Sequence, residues 1–337
     1  MSMVFLRKVN RFRDSALRRQ EAGLTLVELL VAVAITAVVM TLSIGIFISQ
    51  YRSYRSGHSM KTALADNQKA ISMIKEDLAL AGWSVRPELA FFIVDGNATG
   101  PDEIYVNDAG FLEIDMHNAT KTTDRLIRMV DSDCAACARY SGTSLVDSGD
   151  INGDGNNDFK NVPVIVWEDS SGRSFARNTD GSGSLDSAVA AGSKVTPAVR
   201  YCLDLGSALT PNCHVASADP SSGLLVLRKQ SKDTGGDRQP MAEDVVDIQV
   251  VYQDDGNNTY GNSGCSTCQM ASFDSSKIRR LDLSVVTRSR ERTRPIDDRN
   301  SCRPANGNRS GATPGSDECG YEYHVFTTTI TPYNRIR

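Results

Sequence analysis

Histidine is almost missing from this chain. Only His58, His117, His214 and His324 occur in 337 residues, and none has a neighbour at metal-ligand or triad spacing. That leaves little material for a zinc enzyme or a histidine-driven hydrolase. Serine-rich text at 180–187 (DGSGSLDS) reads as loop, not as the strand–turn–helix setting of a nucleophile elbow. The chain is therefore expected not to be an enzyme. An excess of positive charge is missing too. Lys and Arg number 37 against 41 Asp and Glu, a formal net charge of −4, so no nucleic-acid partner is expected. Internal repeats are absent, and so is a second long apolar run, which leaves at most one helical membrane span.

The single apolar run covers 29–48, LLVAVAITAVVMTLSIGIFI, twenty residues without a charge. At about 1.5 Å per residue it makes about 30 Å of helix, the thickness of a bilayer's hydrocarbon core. Before it stand six basic side chains (Arg7, Lys8, Arg11, Arg13, Arg18, Arg19) against Asp14 and Glu21. That asymmetry keeps the N-terminus cytoplasmic and exports the rest. A plain anchor and a cleaved secretory signal are the alternatives. A secretory signal has a shorter apolar region with small residues after it, whereas here Ala22 and Gly23 come first. Glu28 does not suit a plain anchor. A carboxylate at the edge of an apolar run is costly unless a cation lies at similar depth. Cutting after Gly23 would create one, a new amine on Leu24, and would place Glu28 fifth. In a helix bundle, Glu28 of one subunit could then neutralise the amino terminus of a neighbour.

The string EAGLTLVELLVAVAI (21–35) resembles the class III signal of type IV pilins and pseudopilins. The resemblance implies that prepilin peptidase cuts after Gly23, that Leu24 becomes N-methylated, and that Glu28 is the assembly carboxylate. The family more often has phenylalanine where this chain has Leu24. Four further strings, MIKEDLALAGW (73–83), AEDVVDIQVVYQDD (242–255), RRLDLSVVTRSRE (279–291) and YHVFTTTITPYNRIR (323–337), resemble the PilW-type minor pilins. The J-type minor pseudopilins share this layout. By resemblance the chain is a low-copy pilus subunit at or near the tip. Its partners would be other minor pilins, the major pilin, prepilin peptidase and the inner-membrane assembly platform. The domain would lie in the periplasm and then on the surface pilus. Other readings are a minor pseudopilin of type II secretion and a membrane-tethered calcium-binding or redox protein that never polymerises.

Residues 49–82 contain no proline. Ala63, Leu64, Ala70, Ile71, Ile74, Leu78 and Ala81 recur at three- and four-residue steps, which predicts that the helix continues with one apolar face. Gly45 is its weak point in the apolar part, and Gly82 with Pro87 ends it. Beyond Pro87 short β-type runs are separated by Gly, Asn, Asp and Ser. Strands are expected at 91–94, 104–107, 112–116, 125–130, 162–167, 198–205, 224–229, 245–252, 280–287 and 323–331. The fold class is α+β, a long helical spine on a mostly antiparallel sheet. Its segments are a basic leader (1–23), an apolar helix (24–50), an amphipathic continuation (51–86) and an exported β-rich domain (87–337).

Two patterns carry possible site chemistry. In DINGDGNND (150–158), Asp150, Asn152, Asp154 and Asp158 place oxygen side chains at positions one, three, five and nine. Gly155 supplies a turn, and Asn156 offers its carbonyl at position seven. This suits Ca²⁺ in a loop spanning 147–161, although Asn161 stands where an EF-hand has its glutamate. Asp147, water or a distant segment would complete the set. The alternative is a solvated Asx-Gly turn without metal. The eight cysteines fall as Cys134/Cys137, Cys202/Cys213, Cys265/Cys268 and Cys302/Cys319. The two CxxC pairs allow a Cys₄ zinc site or a thioredoxin-like dithiol. An exported location, and the absence of a βαβ setting, favour four local disulfides, although eight cysteines allow 105 pairings.

Overall fold

The computed structural model describes residues 25–82, 85–96, 100–108, 134, 137–147, 149–151, 155–205, 225–232, 237–262, 270–290, 292 and 294–332. The expected strands at 112–116 and 125–130 lie outside the described residues. The chain divides into two compact units, Met1–Arg55 and Ser56–Arg337. Helix α1 runs from Leu26 to Leu80, and each unit holds part of it.

From position 29 to 48 the helix is apolar and exposed, with Leu29 57 % and Phe47 69 % accessible. Its few hydroxyls are satisfied within the helix. Thr36, Thr41 and Ser43 donate to the carbonyls of Ala32, Ala37 and Val39 at 2.7–2.8 Å. These three hydroxyls therefore need no polar partner from their surroundings. The helix is long and apolar enough to cross a membrane.

In the second unit the helix buries Met60, Asn67, Ala70, Ile74 and Leu78; of the expected stripe, Ala70, Ile74, Leu78 and Ala81 are buried and Leu64 and Ile71 half-buried, while Met60 and Asn67 were not expected. Thirteen strands follow among the described residues: β1 (Phe91–Val94), β2 (Glu103–Asn107), β3 (Ala138–Gly142), β4 (Ser144–Leu145), β5 (Pro163–Glu168), β6 (Arg173–Asn178) and β7 (Val189–Leu205). After these come β8 (Leu225–Gln230), β9 (Arg238–Glu243), β10 (Val245–Asp254), β11 (Thr259–Tyr260), β12 (Ile278–Arg288) and β13 (Tyr323–Ile330). The α+β class is as expected: one long helix and antiparallel strands.

Strand β7 is the hub. Its first half pairs with β3 and β5, and its second half pairs with β2 and β8. Pro197, which has no N–H to donate, sits where the partners change. Among the described residues strand β9 pairs only with β8, an edge position that tolerates its Pro240. The second sheet runs β11-β10-β12-β13. Buried Asp102 joins the two sheets. Its N–H donates to the Ile248 carbonyl at 2.8 Å, and its carboxyl accepts from Val250 N at 2.7 Å and Gly96 N at 2.9 Å. Burial pushes this carboxyl well above the usual carboxylate range.

The main core packs Ile74 and Leu78 with Leu89, Phe91, Ile104, Val199, Tyr201 and Leu227. Burial of each large aliphatic side chain contributes about 1.5–3 kcal/mol. One polar clamp fixes the helix's register on this core. Tyr201 donates its hydroxyl to Asp77, and the Lys229 ammonium lies 3.3 Å from the same carboxylate oxygen. Burial, helped by the Asp77 charge, pushes the Tyr201 hydroxyl well above its ordinary range. Two residues past the helix, Gly82 takes φ 91° and donates its N–H to Asn107 Oδ1 at 2.8 Å. That left-handed step is one glycine adopts without strain.

Candidate functional site

Glu28 lies in the first turn of α1. Its Oε2 accepts both the Thr25 N–H and the Thr25 hydroxyl at 3.0 Å, while Thr25 Oγ1 accepts the Glu28 N–H at 3.2 Å. This is a capping box, in which two amides at the helix start are satisfied reciprocally. The carboxylate is thereby held against Thr25 at the very start of the helix. Gly23 and Leu24 themselves lie outside the described residues. Thr25 is the residue that the sequence reading missed. Its signal, T-x-x-E ahead of an apolar run, is present in the string TLVE.

Of the acidic loop, Asp150, Asn156 and Asp158 are described, and Asn152 and Asp154 lie outside the described residues. Gly155 turns the chain at φ 88° and donates its N–H to Asp150 Oδ2 at 2.9 Å. Asp158 is buried; its Oδ2 accepts from Ile151 N at 2.7 Å, and Lys232 donates to its Oδ1. Asp147, the expected supplementary ligand, accepts the Arg139 N–H at 2.9 Å. Among the described residues no three His, Cys, Asp or Glu side chains converge as a metal cluster. Lys232 is 74 positions from Asp158, so only folding places its ammonium on the loop.

Two disulfides are formed among the described residues, Cys134–Cys137 and Cys302–Cys319. Cys202 is also disulfide-bonded. Its expected partner Cys213, and the pair Cys265 and Cys268, lie outside the described residues. Cys134 and Cys137 pack on the main core. The bridge Cys302–Cys319 closes the excursion 289–322 between β12 and β13, and both its sulfurs sit among buried residues. At the base of the excursion, Ser289 N donates to the Glu322 carbonyl at 2.8 Å.

Inside the excursion, charge replaces apolar packing. Arg309 Nη1 donates to Asp247 Oδ1 at 2.9 Å and to the Val246 carbonyl at 3.1 Å. Asn306 Nδ2 donates to Asp247 Oδ2 at 3.1 Å, and Arg303 Nε to Glu318 Oε1 at 3.0 Å. Asp247, wholly buried on β10, thus holds the excursion onto the sheet.

Residues 18–44 match the family model of the prokaryotic N-terminal methylation motif. The motif coincides with the start of an exposed helix long and apolar enough to cross a membrane, a pilin-like arrangement. Residues 214–334, which hold β8 to β13, match the family described as type IV pilus-assembly protein W. This part of the chain is thus similar to a family of type IV pilus-assembly proteins, a similarity that covers about a third of the sequence. Comparison with curated proteins and with solved structures returns no match.

Proposed function

We propose that this chain is a non-enzymatic assembly subunit of a type IV pilus, held in the inner membrane by α1 and later built into the filament at or near its tip. The observation that carries the reading is the exposed apolar stretch 26–48 of α1, in which the one acidic side chain, Glu28, is fixed in the first turn of the helix. Such a helix is buried equally well by lipid tails or by neighbouring apolar helices, so it can leave one for the other. Glu28 then meets the amine freed on Leu24 of an adjacent subunit. A large β domain with disulfide-closed loops would crowd a uniform filament, which supports a low-copy place near the end. A cell-surface position and an oxidising periplasm follow from the same reading, and both suit the disulfides. The match to a pilus-assembly family favours the pilus over a secretion pseudopilus. Mass analysis of the mature protein should find N-methyl-Leu24 at the amino terminus with residues 1–23 removed. An intact leader would overturn the proposal.

We further propose that the loop 147–161 takes Ca²⁺ as a structural ion. The chemistry of its donors supports this: carboxylates on a tight glycine turn, with a protein ammonium already balancing Asp158. Calcium there competes with Lys232. Calorimetric titration of the detergent-solubilised full chain should show calcium binding. Lys232→Met should tighten it roughly ten-fold, the scale of one charge-assisted hydrogen bond removed from the competitor. Absence of binding in both proteins would remove the idea.

A further inference from the structure

Strand β13 ends its sheet, and no described strand pairs with its outer side. It is eight residues long and keeps an unbroken register with β12 from Leu281↔Ile330 to Arg288↔Tyr323. In an antiparallel pair, alternate residues turn their N–H and C=O away from the partner strand, so half of this edge faces outward. Edges of that kind are usually blunted by lysine, proline, a bulge or a covering segment. Within β13 there is no lysine, no proline and no register shift. Val325 exposes 47 % of its surface there.

Beside this strand the excursion 289–322 forms one wall of an open groove of about 610 Å³. Tyr323 and Val325 line it from β13, and Pro304, Ala312 and Pro314 line it from the excursion. The only charged side chains in the lining are arginines, Arg299 and Arg303. Arg303 is committed to Glu318 at 3.0 Å. Nearby Arg292 and Arg294 likewise pair with Asp317 and Glu322. Arg299 is exposed and has no ion-pair partner among the described residues. The groove is built rather than incidental. Cys302–Cys319 and the Arg309–Asp247 pair fix its wall on the sheet.

We propose that β13 and this groove receive an extended, acidic segment of a partner protein. The segment adds a strand to the free edge, places an apolar side chain against Val325 and the two prolines, and sets a carboxylate on Arg299. Main-chain hydrogen bonds to an edge supply general affinity, and the pocket and arginine supply selection. The chain's own C-terminal residues 333–337, YNRIR, carry two arginines and no acid, so their charge does not suit the site. The inference rests on sheet topology and groove chemistry, and it holds whether or not the chain enters a pilus.

The test uses the detergent-solubilised full chain and three fluorescein-labelled octapeptides. One alternates valine with threonine or aspartate (TVDVTVDV), the second has lysine for aspartate, and the third has proline for each valine that follows a threonine. The acidic peptide should bind at least about ten-fold more tightly than the other two. Arg299→Glu should reverse the preference between the acidic and basic peptides. Val325→Lys should weaken the acidic peptide about ten-fold with unchanged thermal melting. Equal affinities, no saturable binding, or indifference to both substitutions would overturn the proposal. So would self-association blocked by Val325→Lys, which would make a second copy the occupant. A gain in peptide affinity on removing residues 333–337 would make the chain's own tail the occupant and would overturn it as well.

Discussion

Replacement of Glu28 by alanine should leave the protein in the membrane and nearly empty the filaments of it. The apolar helix that anchors it is untouched by the change, so insertion persists. On the proposed assembly, what is lost is the anion that would answer a neighbour's amino terminus. Inside a bundle of apolar helices water no longer screens that amine, and an unanswered ammonium disfavours the assembled state. The capping geometry allows the charge to be separated from the cap. Glutamine at position 28 can still accept from Thr25, since Glu and Gln both complete a capping box, but it carries no charge. Glu28→Gln should therefore fail about as badly as Glu28→Ala. Thr25→Ala, which keeps the charge and loses both hydrogen bonds of the Thr25 hydroxyl, should be milder. Immunoblots of sheared filaments against membrane fractions would measure all three. Wild-type incorporation of Glu28→Gln would sink the charge-pairing account.

Arg309→Ala should destabilise the β domain by about 3–5 kcal/mol, the usual consequence of leaving one member of a buried ion pair alone. Asp247 has no exposed surface, and Arg309 is its cation. With the guanidinium gone, only the amides of Asn306 and Gln249, at 3.1 and 3.2 Å, would remain on the carboxylate. The Val246 carbonyl would lose its donor as well. A domain of this size shifts its melting point by roughly 2–4 °C per kcal/mol, so the midpoint should fall by about 10 °C. Removal of both charges, as Asp247→Leu with Arg309→Met, should recover most of the loss, because an apolar pair carries no desolvation penalty. Thermal unfolding of the full chain in detergent reads both variants. A fall of under about 1 kcal/mol for Arg309→Ala would show that the pair does not hold the excursion.

The apolar run and the amphipathic stripe were legible because each is a one-dimensional pattern. Twenty uncharged residues make a membrane-length helix whatever lies beyond them, and the Ile74/Leu78 spacing marks the helix's inner face. Strands such as β5, β10 and β12 were legible for a similar reason, since their β-branched runs favour extended backbone locally. Strands β6 (RSFARN) and β9 (RQPMAE) were not. They hold few strand-forming side chains and are extended because β5 and β8 offer them ladders of hydrogen bonds. The first half of β7, with Gly192 and Ser193 in it, was missed for the same cause.

At the sites the division is similar. The sequence alone determined that Glu28 begins an apolar helix, that Thr25 stands three residues before it, and that the cysteines fall in near pairs. These are statements about neighbours in the chain, and short-range sterics and hydrogen bonding settle them. Only the tertiary structure decided that Lys232 meets Asp158, that Arg309 neutralises Asp247 62 positions away, and that no described strand pairs with the outer edge of β13. Each joins residues far apart in the chain, and no local preference encodes such a meeting. It arises when burial of the core fixes the strands in one register and brings distant charges into a medium where they must find one another.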